Sequence, residues 1–123
     1  MVEKTIQVFT EKEGEFVDLL VRIGTQKTVA KTLVYLAKMK EATTRNIELG
    51  ADLRQPEVSV AMKSLAGKGG VKSREIHPEK KGRPIKIWNL TMPVPKILDI
   101  IGSEKQAELN SRLEMIRRAR GFA

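Results

Sequence analysis

Gln55-Pro56-Glu57-Val58-Ser59-Val60-Ala61-Met62-Lys63-Ser64-Leu65 is the run on which the fold turns. Proline at the start of a helix gives up no needed hydrogen bond, and Glu57 favours the positive helix N-terminus. Val58, Ala61, Met62 and Leu65 recur at three- and four-residue steps, which at about 100° per residue makes one apolar face. Pro56, Ser59, Val60 and Lys63 project from the opposite side, so the exposed face is small, polar and basic. Such a face suits a DNA major groove, where serine and lysine reach base edges or phosphates and a short apolar side chain touches a thymine methyl.

Upstream, Thr43 or Thr44 caps a helix running to about Gly50, with Ile47 turned inward and Glu48 outward, and Leu53 fills the turn that follows. Downstream, Gly67 to Gly70 end the central helix. Val71 to Ile76 then alternates as a strand with Val71, Ser73 and Glu75 on one face, and Ile85, Ile87 and Leu90 make its return partner. Between the strands lies His77-Pro78-Glu79-Lys80-Lys81-Gly82-Arg83-Pro84, too polar to bury and bounded by turn-forming prolines and a glycine. Two short helices, a strand, a basic loop and a strand are the order of a winged helix-turn-helix. The expected class is mainly α with a small β wing, an α+β fold with accessory N- and C-terminal helices.

The run Thr44-Arg45-Asn46-Ile47, then Leu53-Arg54-Gln55-Pro56-Glu57-Val58-Ser59, then Lys81-Gly82-Arg83-Pro84 followed by Ile87-Trp88-Asn89-Leu90-Thr91, resembles archaeal winged-helix transcriptional regulators of the MarR, TrmB and ArsR kind. The resemblance spans Phe16 to Thr91 and is most specific at the Gln-Pro-x-Val-Ser helix opening and the Gly-Arg-Pro wing. It implies a dimeric repressor or activator whose wing arginine enters a minor groove.

The 123 residues suffice for one domain with a modest core and an accessory helix or two. With 41% hydrophobic and 31% charged residues the chain is expected to fold, and no apolar run is long enough to cross a membrane. Met1 to Thr10 lacks the basic start and apolar centre of a secretory signal, so a cytoplasmic location is expected. No cysteine is present, which leaves no disulfide, thiolate nucleophile or thiol-based zinc site. The net charge of +8 is unevenly placed. Residues 1–53 balance eight basic against eight acidic side chains, whereas residues 54–90 hold nine against three. Clustered lysine and arginine on a helix-turn-helix pattern are the footprint of a phosphate-binding face.

Along the rest of the chain, Thr5 to Phe9 alternates as a short strand or extended arm. Phe16 to Ile23 has helical spacing and Gly24 is placed to end it; Thr28 to Met39 continues with Val29, Leu33, Leu36 and Ala37 facing a core. Beyond the wing, Ile97, Leu98 and Ile101 suggest a short helix stopped by Gly102. Ser103 and Gln106 then match a capping box opening a last helix to about Arg118. Its Leu109, Leu113 and Ile116 form a narrow stripe of the coiled-coil kind. The expected organisation is an arm over 1–15, a winged helix-turn-helix DNA-binding domain over 16–91, and a C-terminal helical segment over 92–123. Dimerisation is assigned to Ile97, Leu98, Ile101, Leu109, Leu113 and Ile116, with packing on its own domain as the other reading of the stripe.

Chemistry other than binding finds little support. Gly67-Lys68-Gly69-Gly70-Val71-Lys72-Ser73 lacks the spacing of a phosphate loop and runs from helix into strand, the reverse of what such a loop needs. His77 has only Glu75 and Glu79 nearby, in a polar loop without supporting partners. No serine has a partner histidine and no paired carboxylates stand in an apolar setting. An enzyme is therefore not expected, nor a metal or cofactor. Trp88 is expected to pack rather than stack on a base, since aromatic residues make up only 4% of the chain.

Two functions remain. The first is a sequence-specific double-stranded DNA binder that regulates transcription, with the recognition helix at 55–66 in the major groove and the wing at 77–84 on minor groove or backbone. Its candidate contacts are Thr44, Arg45, Arg54, Gln55, Pro56, Ser59, Val60 and Lys63 on the helices. Lys68, Lys72, Arg74, Lys80, Lys81, Arg83 and Lys86 supply the others from the turn and wing. The second is a winged helix used as a protein-protein module in transcription machinery, which would favour exposed aromatic or large aliphatic anchors on the same face. No small-molecule effector can be named, because no separate effector domain is apparent within the chain.

Overall fold

The structure, a computed structural model, describes residues 9–77 and 82–123. The elements in order are α1 (Glu11–Arg22), α2 (Lys27–Met39), β1 (Glu41–Thr43), α3 (Thr44–Gly50), α4 (Gln55–Gly67), β2 (Val71–Ile76), β3 (Ile85–Leu90) and α5 (Val94–Arg120). The chain separates into two compact units, residues 1–93 and residues 94–123. The first unit is a mostly helical winged helix with a three-stranded antiparallel sheet ordered β1-β3-β2.

Local chemistry explains where the helices begin. Thr10 caps α1: its hydroxyl accepts from the Glu13 N–H at 3.1 Å while the Glu13 carboxylate accepts from the Thr10 N–H at 2.8 Å. That cap starts α1 at Glu11, so residues 11–15, expected as part of an arm, are helical. The Thr10 backbone bond, followed by Lys38 at 3.3 Å, holds the Glu13 carboxyl below the usual carboxylate range. The cap's contribution is therefore present above the ordinary carboxylate pKa and lost as pH falls through the lowered one. Thr43 and Asn46 make the same reciprocal pair at α3, at 3.0 and 3.1 Å.

Three helices end alike. After α1, α3 and α4 the chain turns through a residue of positive φ, namely Gly24 at 102°, Asp52 at 56° and Gly69 at 75°. The following N–H then reaches back five residues, from Thr25 to Leu20, Leu53 to Glu48 and Gly70 to Leu65, each at 2.9 Å. Asp52 is the one non-glycine of the three, a position that aspartate tolerates better than most residues. Lys40, at φ 72°, turns α2 into β1.

The core of the first unit is where these helices meet. Leu33 and Leu36 of α2, Ile47 of α3 and Val58, Ala61, Met62 and Leu65 of α4 are each at most 2% exposed. Each large aliphatic side chain so buried contributes about 1.5–3 kcal/mol against the entropy of ordering it. Tyr35 is buried too, which pushes its phenol pKa up.

Four expectations need correction or restriction. The sheet has a third strand, β1, which three residues of mixed polarity do not announce; it exists because β3 offers a free edge, pairing Glu41 with Asn89, Ala42 with Trp88 and Thr43 with Ile87. Of Val71, Ser73 and Glu75, only Val71 is buried. The C-terminal segment is one helix of 27 residues rather than two, because Gly102, with helical backbone and an exposed position, costs only about 1 kcal/mol against alanine and its neighbours favour helix. The strand or arm expected at Thr5 to Phe9 lies outside the described residues except for Phe9.

A pair of glycines tests this packing. A Cβ on Gly50 would overlap the edge of the Tyr35 ring at Cε1, 2.6 Å from Cζ and 2.8 Å from the hydroxyl. Gly50→Ala should therefore destabilise by about 1–3 kcal/mol. At Gly14, inside α1, an added Cβ meets nothing within 4 Å. Gly14→Ala should raise stability by about 0.5–1 kcal/mol. Thermal melts of both variants check this, and a Gly50→Ala melt at or above wild type would contradict the Tyr35 contact.

Candidate nucleic-acid interface

α3 and α4 are joined by the tight turn at Ala51–Arg54, in which Ala51 is 1% exposed and anchors the corner. α4 is then laid down with its apolar face inward, since α2 and α4 pack together. Its outward face carries Pro56, Ser59, Val60 and Lys63, all exposed, together with Gln55 at the first position. Val60, at 52%, is the single aliphatic side chain among them. The start is fixed by Glu57, whose carboxylate accepts from the Arg54 N–H at 2.8 Å, leaving the exposed Arg54 at the helix entrance.

α3 contributes Arg45, 72% exposed and 3.4 Å from Glu48, a surface pair of little energetic consequence. Thr44, half-buried, accepts a hydrogen bond from Trp88 Nε1 at 3.1 Å. That bond ties the helix-turn-helix to β3, and it explains why Trp88 packs.

The wing strands place the remaining cations. On β2, Lys72 and Arg74 share the sheet face opposite to Val71 and are exposed. Arg74 is held by Glu41 of β1 at 3.1 Å, across the intervening β3, so one of the expected phosphate contacts is already paired with a carboxylate. Lys86 on β3 lies 5.5 Å from the centroid of the Trp88 ring, within cation–π range. Lys68 is half-buried where α4 ends, and there the Thr91 side chain and backbone close the base of the hairpin onto Gly69 and Gly70. Arg83 is exposed in the loop, whereas Lys80 and Lys81 lie outside the described residues.

Neither the Trp88–Thr44 bond nor the Glu41–Arg74 pair is visible in the sequence, because each joins residues more than thirty positions apart through a register that only the folded sheet establishes. Among the described residues no group of three histidine, aspartate or glutamate side chains comes together to hold a metal. No helix among them is long and apolar enough to cross a membrane.

In the second unit the residues expected to dimerise fall into two groups. Leu109, Leu113 and Ile116 are 50–55% exposed along α5. Ile97 and Ile101 are already buried within the single chain, and Leu98 is half-buried. Met115, 62% exposed, lies on a different side of the helix from the stripe, and Phe122, in the turn beyond the helix, is 93% exposed.

No protein family model matches the chain, and no curated protein does. Among solved structures it is similar to a transcriptional regulator homologue from Pyrococcus horikoshii OT3, with a TM-score of 0.52, 16% identity, and 80% of this chain covered against 96% of that one. It is also similar to a MarR family regulator from Neisseria meningitidis, with a TM-score of 0.50, 18% identity and coverage of 87% and 84%. NadR, solved in complex with 4-hydroxyphenylacetate, aligns with a TM-score of 0.51, 18% identity and coverage of 87% and 74%. At these identities the likeness is one of architecture, and the chain has the winged-helix fold that these regulators have.

Proposed function

We propose that this protein is a sequence-specific, double-stranded DNA-binding transcriptional regulator acting as a homodimer. The recognition helix at 55–66 enters the major groove, and the basic wing at 77–84 lies on minor groove or backbone. The observation that carries this reading is the exposed face of α4, where Gln55, Pro56, Ser59, Val60 and Lys63 offer small, polar and basic groups and no aromatic anchor. A protein-docking winged helix would present larger apolar side chains there. The excess of six positive charges over residues 54–90 supports the same reading, as does the fold shared with known regulators.

Affinity for duplex DNA should fall steeply with salt, each neutralised phosphate contributing about −0.9 to the slope of log affinity against log salt. Titrations over a range of salt check this; no duplex binding, or an affinity flat with salt, would transfer the case to the protein-module alternative.

Helix and wing should separate by mutation. Gln55→Ala should relax preference at one base position by about 1–3 kcal/mol, while Arg83→Ala should weaken binding to all sequences or most to narrow-groove flanks. Selection from a random duplex pool with each variant distinguishes them, and unchanged selectivity of Gln55→Ala together with unchanged affinity of Arg83→Ala would sink the assignment.

The dimer rests on the exposed Leu109, Leu113 and Ile116 stripe of α5, flanked by Glu108, Arg112, Glu114 and Arg117. Two copies about a two-fold axis double the bases read and set half-site spacing near one helical turn. Deleting residues 103–123, which leaves the buried Ile97 and Ile101 in place, should give a folded monomer with much weaker operator binding. Light scattering tests this, and a full-length monomer or a dimeric truncation would move the interface elsewhere.

A further inference from the structure

Trp88, the only tryptophan, stands on the sheet face that also carries the buried Ala42 and Val71, directly opposite Ala42 on β1 and Ser73 on β2. Two candidate DNA-contacting side chains meet it. Its Nε1–H donates to Thr44 Oγ1 at 3.1 Å, and the Lys86 ammonium sits over its ring at 5.5 Å from the centroid. An indole N–H only donates, so Thr44 is the acceptor in this bond and its own hydroxyl proton stays available. No group among the described residues accepts that proton. Thr44 is only half-buried, so the proton has access to an outside acceptor. One indole thus arranges a neutral donor at its edge and a cation over its face, the two kinds of group that hold phosphodiester oxygens.

We propose that Trp88 is a positioning residue for the nucleic-acid backbone: it presents the Thr44 hydroxyl and the Lys86 ammonium together to phosphate oxygens of duplex DNA. This rests on the DNA-binding reading above and goes further in assigning a role to a side chain that touches no DNA itself. It also makes α3 and the wing strand β3 engage the backbone as one body, because the contact that joins them is the contact that orients the donor. An indole that only satisfied its own N–H inside the sheet would influence stability and leave affinity alone.

The test uses the full chain and a mixed-sequence DNA duplex, since phosphate contacts do not depend on sequence. Thr44→Val should lose about three- to tenfold in affinity with an unchanged salt slope, because a neutral donor releases no counterion. Lys86→Gln should instead lower the slope by about 0.9. Trp88→Phe, which keeps an aromatic ring but removes the N–H, should match Thr44→Val, and the double variant should be no weaker than Thr44→Val alone. Thr44→Ser should retain wild-type affinity. Melting temperatures measured alongside separate loss of contact from loss of fold. Trp88→Phe binding like wild type, or losses that add in the double variant, would overturn the proposal. Should Trp88→Phe fail to fold, equal affinities of Thr44→Val and Thr44→Ser would overturn it as well. A wild-type chain without duplex affinity would remove the DNA-binding reading itself, a result read before any variant is made.

Discussion

Burial of the Val58, Ala61, Met62 and Leu65 face of α4 against α2 is the constraint on which the rest of the first unit depends. Once those four side chains are inside, helical geometry leaves no choice about what is outside: Pro56, Ser59, Val60 and Lys63 must face solvent. The same burial sets where α4 ends, because Leu65 is both a core side chain and the carbonyl that accepts from Gly70. The chain therefore leaves the helix at a fixed point and enters β2 there. Recognition surface and wing are in this way consequences of one packed interface.

The sheet then does for the wing what α2 does for α4. A lone hairpin of two six-residue strands is marginal in water, and β1 gives it a third strand. β1 leads directly into α3, and Trp88, opposite Ala42, reaches Thr44. The helix-turn-helix and the wing are consequently joined by covalent continuity, by ladder hydrogen bonds and by one side-chain bond, so the basic side chains on both are held by a common frame. Within that frame the charges are not equivalent. Arg74 is neutralised by Glu41, whereas Lys63 and Arg83 stand on exposed positions of helix and loop.

α5 follows a different economy. Its first turns hold buried isoleucines, while its second half carries Leu109, Leu113, Met115 and Ile116 exposed beside Arg112, Arg117, Arg118 and Arg120. The Glu114–Arg117 pair, whose close hydrogen bond lowers the glutamate pKa and raises that of the arginine, sits beside the stripe. So much aliphatic surface on one exposed helix is the physical motive for the proposed pairing with a second copy.

Sequence by itself determined the elements whose signals are local. Thr43 and Pro56 mark helix starts, Gly24 and Gly69 mark ends, and the three- and four-residue spacing of Val58 to Leu65 assigns the two faces of α4; each depends on neighbours within a turn or two of chain. Basic residues clustered over 54–90 were equally legible, since charge needs no geometry to be counted. Tertiary structure alone decided what depends on register and shared burial. β1 is too short and too mixed to signal itself, and exists only because β3 has an edge to pair. Gly102 reads as a stop but costs a long helix too little to break it. Ile97 and Leu109 look alike as members of apolar stripes, yet one is wholly buried and the other half exposed, because periodicity says which side chains share a face and never what that face meets. The partners of Arg74 and Thr44 belong with these. Ion pairs and hydrogen bonds between positions so distant in the chain arise from the alignment of strands, which is settled by all the sheet's side chains together.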